Sequence, residues 1–183
     1  MIQALSRERP RVRSTRLTGL LKAMIVAYGI ALAARLRIFL PFSPVPVTAQ
    51  TLVVLLAGVS LEPWVGALAF MAYVAGTSAG LPMLAGPSLV GPTGGYVMGF
   101  GVALVALGWL RQAGYLRSVG RLALAMIGAN LLIYGIGLPW LAQFVGWHRV
   151  LALGLYPFVA GDLAKLCIAL WLARAVGVRG AHR

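Results

Sequence analysis

Acidic side chains are nearly absent: Glu8, Glu62 and Asp162 are the only three in 183 residues, and the only histidines are His148 and His182. That leaves little material for proton-transfer catalysis or a metal constellation. Cysteine occurs once, at Cys167, which excludes an intrachain disulfide and any thiolate cluster; it is read as a small apolar core residue. Charged residues make up only 10% of the chain, and no Gly-Lys-Ser/Thr phosphate-loop ending is present. The chain therefore carries no visible means of hydrolysing a nucleotide, so uphill work would need a partner or a coupled ion. What fills the sequence is apolar: 61% of residues are hydrophobic and the mean hydropathy is +0.91. A soluble globule of this composition would expose far too much apolar surface, so the chain is expected to lie in a bilayer as one domain.

About 20 apolar residues carry a helix across a hydrocarbon core about 30 Å thick, and fewer suffice where the bilayer thins. That ruler predicts an all-α, polytopic membrane protein, a bundle of six transmembrane helices at 17–39, 47–61, 64–79, 93–110, 122–144 and 158–176. The second and third are short enough to be read also as a hairpin or a re-entrant pair. The net charge of +13 does not signal nucleic acid, because the cations fall between apolar spans and not on a soluble basic face. Arg7, Arg9, Arg11, Arg13, Arg16, Arg111, Arg117, Arg121, Arg174, Arg179 and Arg183 share one side of such a bundle, leaving Arg35, Arg37 and Arg149 for the other. The positive-inside rule then puts both termini in the cytoplasm. Residues 1–16 form a basic cytoplasmic segment ahead of a retained first helix, too long and arginine-rich for a signal peptide, with transit-peptide character as the alternative. The single membrane domain spans 1–183, with its core at about 17–175.

Asp162 and Lys165 stand out within this apolar frame. An ionised side chain at membrane depth costs roughly 2.5–3.5 kcal/mol, a cost usually tied to function. At i, i+3 the two leave one helix face, so they can pair with each other or present an acceptor and a donor to one ligand. The predicted topology places them in the outer half of span six, which begins near Pro157. Thr48 and Gln50 share that depth, in the first turn of span two after the proline-punctuated stretch 41–46. The uncharged connection 80–92, which contains Met83 and Gly86-Pro87-Ser88, is outside too and can act as a lid. It leads into Gly91-Pro92-Thr93-Gly94-Gly95-Tyr96, a tight loop with Thr93 near a helix N-cap and Tyr96 one turn in. Tyr96 otherwise reads as an interfacial belt aromatic, as do Trp64, Trp109, Trp140, Trp147 and Trp171. Asn130 reads as an interhelical hydrogen-bonding group, and Ala23, Ala27 and Ala31 form a small-residue stripe for close helix packing, within the bundle or against a partner.

Taken in order, Pro44-Val45-Pro46-Val47-Thr48-Ala49-Gln50-Thr51, Leu55-Leu56-Ala57-Gly58, Gly80-Leu81-Pro82, Gly91-Pro92-Thr93-Gly94-Gly95-Tyr96 with Gly99-Phe100, and Pro157-Phe158 with Gly161-Asp162-Leu163-Ala164-Lys165 closely resemble the BioY family. The resemblance covers roughly residues 17 to 175. It implies a high-affinity biotin-capturing S component of an energy-coupling factor (ECF) importer in the bacterial plasma membrane. Such a chain binds biotin at the outer face and passes it inward with a transmembrane coupling subunit and two ATPases. It also implies that no cofactor is held and that ATP is used only by the partners. Ala23, Ala27 and Ala31 resemble the motif by which such components dock on the coupling subunit.

Biotin offers two ureido N–H donors, one carbonyl acceptor, an apolar thioether ring and a carboxylate tail. Asp162 can accept from a ureido N–H, and Lys165 can pair with the carboxylate or the ureido oxygen. Gln50, Thr48 and Thr93 complete the polar surroundings, while Tyr96 and Met83 cover the ring. Family members also use an asparagine and an arginine from the loop before span four and its vicinity; residues 80–100 contain neither. Two other classes compete: an intramembrane transferase, for which the chain is short of acids and histidines, and a structural membrane subunit, which would not need converging polar groups.

Overall fold

A computed structural model describes residues 9–83 and 88–175, with side chains from residue 16 onward. Gly86, Pro87, Val176, His182 and the outermost arginines at either end lie outside the described residues. Helix α1 covers Arg9–Ala33, α2 Gln50–Ser60, α3 Pro63–Ser78, α4 Gly94–Gln112, α5 Val119–Val145, α6 Val150–Gly154 and α7 Tyr156–Ala175. A 3-10 turn at Tyr115–Arg117 joins α4 to α5. Among the described residues four stretches are helical, long and apolar enough to cross a membrane: Arg16–Ala33, Gly94–Gln112, Val119–Val145 and Val150–Ala175. The last spans α6 and α7. The helices α2 and α3, with 11 and 16 residues, are shorter. The chain is thus a polytopic, largely helical membrane protein.

The first two predicted spans run past their helices. Helix α1 stops at Ala33, and Arg37–Ile38 (β1) pairs antiparallel with Val47–Thr48 (β2), Arg37 opposite Thr48. Pro41, Pro44 and Pro46 supply no backbone N–H and bias the preceding residues away from helix, so the chain crosses this stretch as a ribbon. Thr48 therefore lies on a strand, and Gln50 opens α2. At its other end α1 is described from Arg9, inside the predicted basic segment. Pro157 is tolerated as the second residue of α7, where a missing N–H costs nothing.

Helix α4 is the hub, packed on α5, α2 and α3. Its glycines set the distance of approach: a Cβ on Gly99 would come within 2.8 Å of the Ile133 Cα, and one on Gly108 within 2.9 Å of Pro63 backbone. Removing side chains at such points lets backbones close in, gaining dispersion contacts where apolar burial against lipid gives no drive. The alanine stripe is used in the same way. Ala23 packs on Val65 and Ala69 of α3, and Ala23, Ala27 and Ala31 are 0%, 2% and 6% exposed. This corrects the reading of Ala23, Ala27 and Ala31 as a partner-docking face: their own bundle covers them, and α1 turns Leu20, Met24, Ile25 and Tyr28 outward instead. Small residues at i, i+4 suit either kind of packing, so spacing alone could not separate them. Cys167 also departs from expectation, lying exposed on α7.

Candidate functional site

The unusual polar residues gather at the end of the bundle where α2, α4 and α7 begin. There an open cavity is bounded by the 45–51 segment, α4, α5 and α7. Thr48, Gln50, Thr93, Tyr96, Asp162 and Lys165 all line it; Met83 does not. Val45, Pro46, Val97, Phe100, Ile133 and Phe158 supply its apolar walls. The proline stretch is pinned over this space by Ser43, whose hydroxyl donates to the Leu153 carbonyl at 2.7 Å.

Asp162 is 8% exposed and organises the polar wall. Its Oδ1 accepts from Lys165 Nζ at 2.7 Å and, at 3.5 Å, from the Thr51 hydroxyl. Its Oδ2 accepts from the Tyr134 hydroxyl. Three helices thus meet on one carboxylate, which is both ion-paired and hydrogen-bonded, and so its burial is compensated. Lys165 is the opposite case: of its three N–H donors one is taken by Asp162, which leaves donors for an incoming acceptor. The pair is at once an internal ion pair and a surface presented to the cavity.

Tyr96 is 9% exposed and is no belt residue. Its hydroxyl donates to the Gly154 carbonyl at 2.8 Å, and its ring meets Tyr134 edge-on at 6.2 Å between centroids. A Cβ on Gly137 would lie 2.5 Å from that ring, so glycine there makes room for it. Trp140 donates its Nε1–H to the Gly91 carbonyl at 2.9 Å and so anchors the loop that opens α4. Thr93 sits at the α4 N-cap with its hydroxyl oxygen buried and unpartnered. The Asn130 Oδ1 is likewise buried without a partner, so the expected interhelical bond to that oxygen is not made.

Gln50, 3% exposed, gives its Nε2–H to the Tyr73 hydroxyl at 2.9 Å, and Tyr73 in turn donates to the Met83 carbonyl at 2.9 Å. Met83 is therefore corrected from a ring-covering contact to a backbone acceptor; its side chain sits against Gly76. The same loop receives Arg35, which donates to the Pro82 carbonyl at 2.7 Å. Sequence reasoning missed Thr51, Tyr73 and Tyr134. Thr51 lay beside Gln50 in a matched motif, whereas Tyr73 and Tyr134 stand alone among apolar neighbours with no local signal.

A helical membrane fold with a paired charge at the wall of a largely apolar, open cavity has the make-up of a membrane protein suited to a small amphipathic ligand. The chain belongs to the BioY family, which it matches over residues 6–181. It is 36% identical to a probable biotin transporter BioY of Pyrococcus horikoshii over 81% of this chain and 91% of that relative. It is 35% identical to the biotin transporter BioY of Rhizobium etli, over 88% and 91%. Its fold is similar to the crystal structure of the S-component for biotin from an ECF-type ABC transporter, with a TM-score of 0.76 at 22% identity, covering 92% of this chain and 95% of that one.

Proposed function

We propose that this chain captures biotin in the cavity at the α2, α4 and α7 end and releases it on the other side of the membrane as the S component of an ECF importer. The observation that carries this reading is the Asp162–Lys165 pair, held by Thr51 and Tyr134 at the wall of an otherwise apolar cavity. A ureido ring needs acceptors and a donor, a thioether ring needs apolar walls, and the residues named above offer both. Asp162 accepts a ureido N–H, Lys165 donates to a ligand oxygen, and Tyr96, Phe100 and Phe158 enclose the ring. Thr93, with its unpartnered hydroxyl at the start of α4, is placed where a helix N-terminus favours negative charge such as the carboxylate.

The short helices α2 and α3 count as two further spans, giving six with both termini in the cytoplasm and the cavity opening outward. The setting is the bacterial plasma membrane. A transmembrane coupling subunit and two ATPases supply the energy that this chain lacks the motifs to harvest, and the chain binds and transports without catalysis. Calorimetric titration of the detergent-purified full chain with biotin tests the reading. Saturable, tight binding is expected; a folded chain that ignores biotin sinks it.

A further inference from the structure

We infer that Tyr73, which does not line the cavity, is a positioning residue: it fixes the Gln50 side-chain amide so that the carbonyl oxygen, and not the NH2, is offered to an N–H donor of the ligand. This rests on the biotin reading above and concerns which atom of Gln50 that ligand meets.

Tyr73 is fully buried on α3, and its hydroxyl touches two groups, the Met83 carbonyl and the Gln50 amide, each at 2.9 Å. A backbone carbonyl can only accept, so the single phenolic hydrogen is committed to Met83. The phenolic oxygen is then limited to accepting, and the Gln50 atom facing it must be the donor, Nε2. The opposite side of the amide accommodates that orientation. Gln50 donates its backbone N–H to Thr48 Oγ1 at 3.3 Å, which leaves the Thr48 hydrogen for Gln50 Oε1, also at 3.3 Å.

A flipped amide would set Oε1 against an oxygen with no hydrogen to give, whereas the Thr48 hydroxyl can turn to accept from an NH2. Leaving such a buried group unsatisfied is costly, so Tyr73 selects the orientation. Thr48 lines the cavity and Tyr73 stands behind its wall, so the carbonyl side is the cavity side. One lone pair of Oε1 remains for the ligand. Asp162 already receives three hydrogen bonds, and Gln50 adds a neutral acceptor for the second ureido N–H.

The test is a double-mutant cycle on the full chain: biotin affinity of the parent, Tyr73→Phe, Gln50→Ala and the combination, each checked for an intact melting transition. Tyr73→Phe is expected to weaken biotin roughly five- to tenfold, the worth of one buried hydrogen bond. It should cost nothing further in the Gln50→Ala background. Equal losses in both backgrounds would mean that Tyr73 acts through the fold or the 81–83 loop, and no loss would mean that it orients nothing; either result overturns the inference.

Gln50→Glu gives a second arm that leaves Tyr73 intact. Ionised, it keeps an acceptor toward the ligand but has no hydrogen for the Tyr73 oxygen, so at high pH a loss of at least roughly fivefold against the parent at the same pH is expected, and parent-like affinity there would overturn the orientation argument; protonated at low pH, its O–H can serve the Tyr73 oxygen and the gap to the parent should narrow. A parent that does not bind biotin at all removes the functional reading, an outcome distinct from any of these.

Discussion

The two ends of the bundle put polarity to opposite uses. At the end where α2, α4 and α7 begin, polar side chains point inward and satisfy one another: the Asp162 carboxylate has three donors, and the Gln50 amide is held between Thr48 and Tyr73. At the other end, Lys22 and Arg111 line an open groove with Glu62, whose carboxylate accepts from Trp64 Nε1 at 2.6 Å. Lys22, Arg117 and Arg121 there are exposed. Charge buried in a bundle is stable only when paired and bonded, so its presence marks a site. Charge left in water costs little, so its presence marks no site.

That contrast can be broken experimentally, most forcefully at its centre. Asp162→Asn removes the charge that Lys165, Thr51 and Tyr134 converge on, and biotin affinity measured by calorimetry is expected to fall roughly a hundredfold, near the top of the range for hydrogen bonds to a charged group. Lys165→Ala should cost about tenfold or more, since it removes a donor to the ligand and leaves Asp162 without its counter-ion. Binding at parental strength by either variant would mean that the pair only holds helices together.

Tyr134→Phe is a milder probe of the same wall. Thr51 and Lys165 still serve Asp162, so a loss of roughly threefold to tenfold is expected in the same titration. For packing, Gly99→Ala would force its Cβ against the Ile133 backbone and should destabilise the chain by about 1–3 kcal/mol in detergent melts. Gly128→Ala, with nothing within 4 Å of its Cβ, should not. The smallest effect belongs to the opposite end: Arg117→Gln and Arg121→Gln together should leave biotin affinity unchanged. A cysteine-accessibility map of membrane orientation would detect the loss of charge bias instead.

Much of this chain was legible before its fold was known. Composition declared the membrane, and the cost of ionised groups at depth singled out Asp162 and Lys165. Ordered motifs brought Thr48, Gln50, Thr93 and Tyr96 to one site, because local motifs keep their residue spacing whatever the tertiary arrangement. Helix ends were less legible: an apolar run does not reveal where prolines turn it into a ribbon, as at 34–49. The face of a stripe was not legible either, since Ala23, Ala27 and Ala31 repeat identically whether they meet a partner or the rest of their own bundle.

By itself, then, the sequence determined the solvent, the bundle and the charged pair, all of which follow from residue chemistry and short-range order. Only the tertiary structure decided that Tyr134 and Thr51 complete the Asp162 cluster, that the Tyr96 ring is buried inside the bundle, and that Tyr73 stands behind Gln50. Hydrogen bonds between residues 23 to 111 positions apart depend on how α3, α5 and α7 pack, and no local pattern records that.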